Sequence, residues 1–494
     1  MGPPGSLRSS EATQVRVDGY VVAPGFIDTH SHADNAPLLP RADTSKVMQG
    51  VTTEVVGNCG FSLGPVLPTH AQTVSNLLNR LFPPMAIEWV GAEELFRALD
   101  IAGYVTNYVP LIGHNTLRAS VLGLRNGLPE EAEMTQMRRL IDDALSAGAF
   151  GLSSGLIYPP GMFAGKSELI GLAQLLGPDR IYATHMRDEG GRLCDSVMEA
   201  VAVGESAGCR VQISHLKAAG RDNWGRVGAA VSLLADARTR GVKVTQDVYP
   251  YDAASTMLAA CLPPWCLVGD DATVMGRLSD PGVLRRLRSE IGSGPTPAWE
   301  NIVSGAGWDG ILIASTADHR YEGLTLWQAG RALQSGPFDA LIRVLLEEQL
   351  RASMIIFDMS EEDVETVMHD PATMIGSDGL PPGVGGKPHP RLYGTFPRVL
   401  GRYVRDRNVL TLPQAIAKMT SLPARTFGLK GRGQIAEGYI GDLVVFSADE
   451  IQDEATYAEP VRSPTGILAV LMKGRPVVVA GEWMGRREGE RLTP

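Results

Sequence analysis

Gly25-Phe-Ile-Asp-Thr-His-Ser-His-Ala-Asp34 is the stretch on which the reading of this chain turns. An apolar run from Tyr20 to Ile27, with Pro24 and Gly25 inside it, ends in His30 and His32. Phe26, Ile27 and the valines before them are β-formers, so the run predicts a buried strand over 25–32. Residues i and i+2 of a strand share a face. Two imidazoles on one face at the carboxyl end of a strand can share a metal ion. A pair of histidines in a surface turn would look the same locally, so the rest of the chain has to decide between the two.

Working outward, strand-like runs alternate with helical stretches, the pattern of βα units and a parallel sheet. Eight candidate strands occupy 25–32, 52–58, 108–114, 150–155, 181–187, 211–217, 244–251 and 373–379. The fold class is therefore α/β, a (β/α)8 TIM-like barrel whose site sits at the carboxyl ends of the strands. Those ends carry the polar residues: His30 and His32, then Asn58 and Cys59, His114, His185, His215 and Lys217, Asp247 and Tyr249, and Asp378. Five of the nine histidines fall there, a coincidence that core packing does not explain.

The connection after the seventh strand, 252–372, is too long for a structureless loop. It is expected to be an inserted lid or subdomain, with strands near 310–315 and 353–359 and helices near 281–291 and 337–351. From about residue 425 the texture changes to short strands and turns. The expected organisation is a small β module from 1–24 and 425–494, beside a barrel over 25–424.

The chain has 494 residues, 44% hydrophobic and 20% charged, with a net charge of −10. These values suit a large soluble barrel with a second module. The absence of a long basic stripe argues against nucleic acid, and no run of 18 apolar residues argues for a membrane span. Five cysteines do not make a disulfide scaffold in so long a chain, so a reducing, cytoplasmic compartment is expected. Met1 to Ser6 formally fits a myristoylation pattern, but the Gly/Pro start reads better as irregular chain. Oligomeric state is not legible.

Histidine nitrogen, thiolate and carboxylate form the zinc ligand set, and a catalytic site keeps one position open. Cys59, His185 and His215 could supply three ligands to one ion. His30, His32 and Asp378 could hold a second, weaker one. Asp378 precedes Gly379 and could simply begin a turn. At the end of the last strand, however, it could take a proton from an attacking water and return it to a leaving amine.

Together these residues resemble the amidohydrolase superfamily, and within it the N-acyl-D-amino-acid deacylases (D-aminoacylases). The matching stretches are Val22–Asp34, Gly50–Ser62 with its Asn58-Cys59-Gly60, Gly148–Tyr158, Thr184–Arg187, Ile213–Lys217, Asp247–Tyr251, Ser377–Gly379 and His389–Phe396. The resemblance implies a zinc enzyme that hydrolyses an N-acyl-D-amino acid, a small-molecule partner, to a D-amino acid and a carboxylate. It assigns the tight ion to Cys59, His185 and His215, the weaker one to His30 and His32, and the general base to Asp378. It also implies that Lys217, Tyr249, Ser255 and Arg391 meet the substrate α-carboxylate, with Tyr158 lining the same pocket.

Relatives begin with further strands before Val22, so the expected β-sandwich would be incomplete at its amino end. Many superfamily members bridge two metals with a lysine from the fourth strand. Here that strand ends Ser153-Ser-Gly155, which disfavours a dihydroorotase- or hydantoinase-like enzyme and suggests Cys59 as the substitute ligand. An inactive scaffold derived from the family is the other alternative. The segment after Tyr251 holds Met257, Leu258, Leu262 and Trp265 and no cation up to Val268, which leads to the expectation of a neutral, apolar substrate side chain.

Overall fold

A computed structural model describes residues 16–380 and 386–494. Eight short strands lie in one parallel sheet: β1 (Phe26–Asp28), β2 (Val51–Val56), β3 (Asn107–Gly113), β4 (Gly151–Gly155), β5 (Ile181–His185), β6 (Arg210–Ile213), β7 (Val244–Val248) and β8 (Thr373–Ile375). Each pairs with its neighbour in sequence, and all seven ladders are parallel. Between β8 and β1 the ring closes just past the strand ends. Ser31 bridges Gly379, Asp378 N–H donates to the His30 carbonyl at 2.7 Å, and His32 N–H donates to the Gly379 carbonyl at 3.0 Å.

All eight expected strands are present, but most stop short of their polar residues. The first ends at Asp28, and His30 and His32 sit in the irregular chain beyond it. The alternation of a strand is therefore not what brings the two imidazoles together; the closure onto Asp378 and Gly379 does that. Ile27, Val55, Val109, Ile181 and Met374 form one buried cluster with Phe427 and Leu429, the layered filling that makes such a barrel a packed core.

Between β7 and β8 the insertion builds its own antiparallel sheet, in the order Ile311–Ser315, Ser353–Ile356, Ala254–Met257. The first two strands lie where the sequence indicates, as do helices Pro281–Gly292 and Pro337–Glu347. The strand at 254–257 was not apparent from the sequence. Leu258, Leu262, Leu287, Phe338 and Leu341 give this unit a core of its own.

The small module is a five-stranded antiparallel sheet. Val21–Pro24 pairs with Leu443–Phe446, followed by Ile467–Met472, Arg475–Val479 and Glu482–Trp483. Among the described residues the amino end contributes that one strand. The inner face, including Val444, Phe446, Val470 and Val478, packs against Phe26, Val47 and Phe396 of the barrel. Gly50 is required at this contact: its φ is 87°, and a Cβ there would lie 2.7 Å from Val444 Cγ2. The run Gln14 to Val17 reads in the sequence as one short strand; residues 14 and 15 lie outside the described residues, and Arg16 and Val17 are not in a strand. The start at 1–6 and residues 381–385 of the Gly/Pro-rich loop also lie outside them. No described helix is long and apolar enough to cross a membrane.

Candidate active site

The polar residues beyond the strand ends converge at the barrel mouth. Two sets of donor atoms lie within 4.8 Å of one another, His30, His32, Cys59 and Asp378 in one, and Cys59, His185 and His215 in the other. Cys59 belongs to both. Its Sγ is 3.3 Å from His30 Nε2 and 3.5 Å from His215 Nε2. Asp378 Oδ1 is 3.1 Å from His32 Nε2 and 3.4 Å from His30 Nε2.

Cys59 reaches this point because the chain around it is shaped to let it. Cys59 takes a left-handed φ of 52°. Its carbonyl lies against Gly155 at the end of β4, where a Cβ would approach the Cys59 oxygen to 2.0 Å. Ser153 on β4 accepts the Gly60 N–H at 3.0 Å and donates to the Gly57 carbonyl. A strand ending in Ser-Ser-Gly therefore cradles the cysteine loop where a bulkier side chain would displace it.

The donors fit a metal. Burial, outweighing the pull of Glu189, holds His185 well below its ordinary value, and His215 and Lys217 push the same way. Burial and Lys217 do the same to His215. Both rings are thus neutral, the form that coordinates. Neither His185 nitrogen has a hydrogen-bond partner among the described residues although the side chain is buried, a costly arrangement that an ion would relieve. Burial pushes the Cys59 thiol up to about 11; a cation at the site would reverse this.

A second layer fixes the rings. Asp247 on β7 faces His30 Nδ1 at 3.3 Å and accepts the His215 N–H at 2.8 Å. Glu189, after β5, spans His215 Nδ1 at 3.0 Å and Lys217 Nζ at 2.6 Å. The sequence reading passed over Glu189; it lies four residues past His185, and only the fold shows what it touches. Asp28 accepts from Ser377 N–H at 2.8 Å and Ser377 Oγ at 2.6 Å, and faces Lys46 at 3.4 Å. It thereby pins the Asp378 loop to β1.

The residues expected around a substrate carboxylate are all nearby, with differing freedom. Arg391 is fully buried, its Nη2 2.9 Å from Asp378 Oδ2 and 3.1 Å from the Ser255 carbonyl. Its Nε and Nη1 have no partner among the described residues. Its guanidinium stacks 4.5 Å from the Tyr249 ring centroid. Lys217 is engaged by Glu189. The Ser255 hydroxyl donates to the Met354 carbonyl at 2.8 Å, within the insertion sheet. Tyr158 lies 2.8 Å from Thr256 through its hydroxyl. His114, at the end of β3, is not part of the cluster: it opens a helix and faces Glu168 at 2.9 Å.

Burial opposes ionisation of Asp378, but Arg391 and His30, with the hydrogen bond to His32, hold its carboxyl well below the usual range. The cavity over these groups is lined by Phe61, Ile157, Tyr158, Met257 and Ile356, and by Lys217, Glu300 and Asp358. Of the four apolar residues expected to wall it, Met257 does so. Leu258 and Leu262 pack inside the insertion, and Trp265 donates to Glu290 there at 2.6 Å.

A sequence profile of the amidohydrolase family matches residues 324–478. The chain is 36% identical over 490 residues to a D-aminoacylase of Alcaligenes xylosoxydans xylosoxydans, covering 99% of this chain and 90% of that one. It is 37% identical over 476 residues to an N-acyl-D-glutamate deacylase of the same organism, covering 95% and 86%. A crystal structure of N-acyl-D-glutamate deacylase from Bordetella bronchiseptica, complexed with zinc and a phosphonate inhibitor, superposes with a TM-score of 0.79 at 34% identity over 97% of this chain and 90% of that one. An L-hydantoinase from Arthrobacter aurescens, at 14% identity and a TM-score of 0.51, shares the fold. With near-complete coverage at this identity, and with eight parallel strands gathering its histidines, Cys59 and Asp378 at one mouth, the chain belongs to the N-acyl-D-amino-acid deacylase (D-aminoacylase) family of metal-dependent amidohydrolases.

Proposed function

We propose that the chain is a zinc-dependent deacylase that cleaves N-acyl-D-amino acids to a D-amino acid and a carboxylate. The observation that carries the reading is Cys59, shared by two donor sets beside an Asp378 that also touches a buried, under-committed arginine. Zinc would be held tightly by Cys59, His185 and His215, with His30, His32 and Asp378 offering a weaker second site through the same thiolate. Bound there, zinc supplies Lewis-acid polarisation of the scissile carbonyl and of the attacking water.

The residues of the chain do the rest. Asp378, ionised in this setting, accepts the proton of the water as its oxygen bonds to the carbonyl carbon. It then delivers that proton to the amine nitrogen as the C–N bond breaks. Arg391 can keep Nη2 on Asp378 and still offer an unpartnered N–H and its positive charge to the α-carboxylate, a charge-assisted contact. Tyr249 backs the guanidinium, and Lys217 adds positive charge. Ser255 serves through its place in the insertion sheet, and Tyr158 walls the pocket. Closing the mouth with the insertion excludes water and strengthens each of these interactions.

Relatives of similar identity include deacylases for D-glutamate and D-aspartate, and the compartment and assembly of this chain are separate matters from the chemistry. The test is metal removal and return. Chelation should abolish hydrolysis of N-acetyl-D-methionine, and stoichiometric zinc should restore it. Full activity in metal-free protein would refute the reading.

A further inference from the structure

The active-site cavity does not end at the metal ligands. Away from them it shares Ala219, Glu300, Ile302 and Asp358 with a second, more open cleft lined by Asp188, Asp222, Asn223 and Ser304. Both shared carboxylates come with the insertion: Glu300 stands before helix Ile302–Ala306, and Asp358 follows strand Ser353–Ile356. Glu300 is half-buried, and its Oε2 accepts the Glu189 N–H at 2.7 Å. Asp358 is 4% exposed, and its Oδ1 has no partner among the described residues.

The cations of the two clefts are committed elsewhere. Lys217 is held by Glu189 at 2.6 Å, and Arg192 Nε by Asp188 at 3.2 Å. Arg187, the other cation near the end of β5, is clamped by Glu199 at 3.0 Å and by the carbonyls of Met162 and Ala164. The donor sets close enough to hold an ion do not include Glu300 or Asp358. A buried carboxylate without a partner is costly, and a metal cluster is not what would relieve it here. Burial and the neighbouring acids Glu189 and Asp188 push Glu300 up to about 8, and burial, outweighing the pull of Lys217, pushes Asp358 up to about 7, as expected of buried acids short of positive charge.

Resting on the deacylase reading, we propose that Glu300 and Asp358 form the far end of the side-chain subsite and select N-acyl-D-amino acids with cationic side chains, of the D-lysine and D-arginine type. An ammonium or guanidinium reaching past Ala219 and Ile302 pairs with Asp358, and its methylenes lie along the apolar wall. A D-glutamate or D-aspartate side chain meets like charge instead. This revises the expectation of an apolar preference, because the carboxylates come from parts of the insertion that the segment after Tyr251 does not include.

The experiment compares kcat/KM of the zinc-loaded protein for N-acetyl-D-lysine, N-acetyl-D-arginine, N-acetyl-D-leucine and N-acetyl-D-glutamate. The expected order places the two basic substrates at least tenfold above D-leucine and further above D-glutamate. In Asp358→Asn, the ratio of D-lysine to D-leucine should fall at least tenfold, and Glu300→Gln should move the same ratio in the same direction. Turnover of D-leucine or D-glutamate equal to or above that of D-lysine overturns this proposal and leaves the deacylase reading standing. No turnover of any of the four overturns both.

Discussion

Three of the six donor residues, Cys59, His215 and Asp378, have positive φ values of 52°, 35° and 49°. For residues carrying a Cβ, the left-handed region costs on the order of 1–2 kcal/mol, and such strain concentrates where function over-determines the backbone. Cys59 sits at the junction of both donor sets. Cys59→Ala should therefore lose the tight zinc, read as a fall from near one zinc per chain to a small fraction by elemental analysis; unchanged content would remove Cys59 from the site. Asp378→Asn should keep zinc yet lose turnover by on the order of 10²–10⁴, since the amide holds the shape but cannot accept a proton. Near-normal turnover with metal bound would leave Asp378 a structural role only. These two residues were legible in the sequence because each lies three residues past a strand end and stands in a short motif. Glu189 and Glu300 were not, since an isolated glutamate in a loop carries no periodicity and no spacing that announces a partner.

At the scale of elements, the closure of β8 on β1 aims Asp378. Ser377 gives Asp28 two hydrogen bonds, and Asp28, buried and opposed by Glu54, is raised above the ordinary carboxylate value. Removing the hydroxyl in Ser377→Ala leaves one oxygen of a buried carboxylate under-satisfied, which costs about 1–3 kcal/mol. The variant should unfold at lower denaturant by that amount and lose kcat at temperatures where it is fully folded. A loss of stability alone would mean the closure does not aim Asp378. Strand positions were readable to within a few residues because buried parallel strands are short apolar runs. Their ends were not, and the first strand in particular stops before its histidines. Strand 254–257 was hidden because it pairs with residues 353–356, a partner about a hundred positions away, and its own sequence, Ala-Ser-Thr-Met, has no strong alternation.

At the scale of the whole molecule, the barrel supplies the chemistry and the insertion supplies the walls. Composition and the strand-end pattern suffice for the barrel because each βα unit repeats the same local signal. The insertion is different: it packs around its own core, so apolar residues such as Leu262 and Trp265, which look available for substrate, are used internally. What it shows to the site is Met257, Ile302 and Ile356 with a few polar residues scattered from Ser255 to Asp358, whose meeting depends on the tertiary fold. The five-stranded sheet takes one strand from near the amino end and four from near the carboxyl end, tying the two ends of the barrel sequence together. The account as a whole rests on a handed substrate held by Arg391 over the Cys59 centre. Its most direct test is the kcat/KM of the zinc-loaded protein for the two enantiomers of a single N-acetyl amino acid, N-acetyl-D-lysine and N-acetyl-L-lysine. The account predicts hydrolysis of the D form at least a hundredfold faster; equal rates, or preference for the L form, would contradict it.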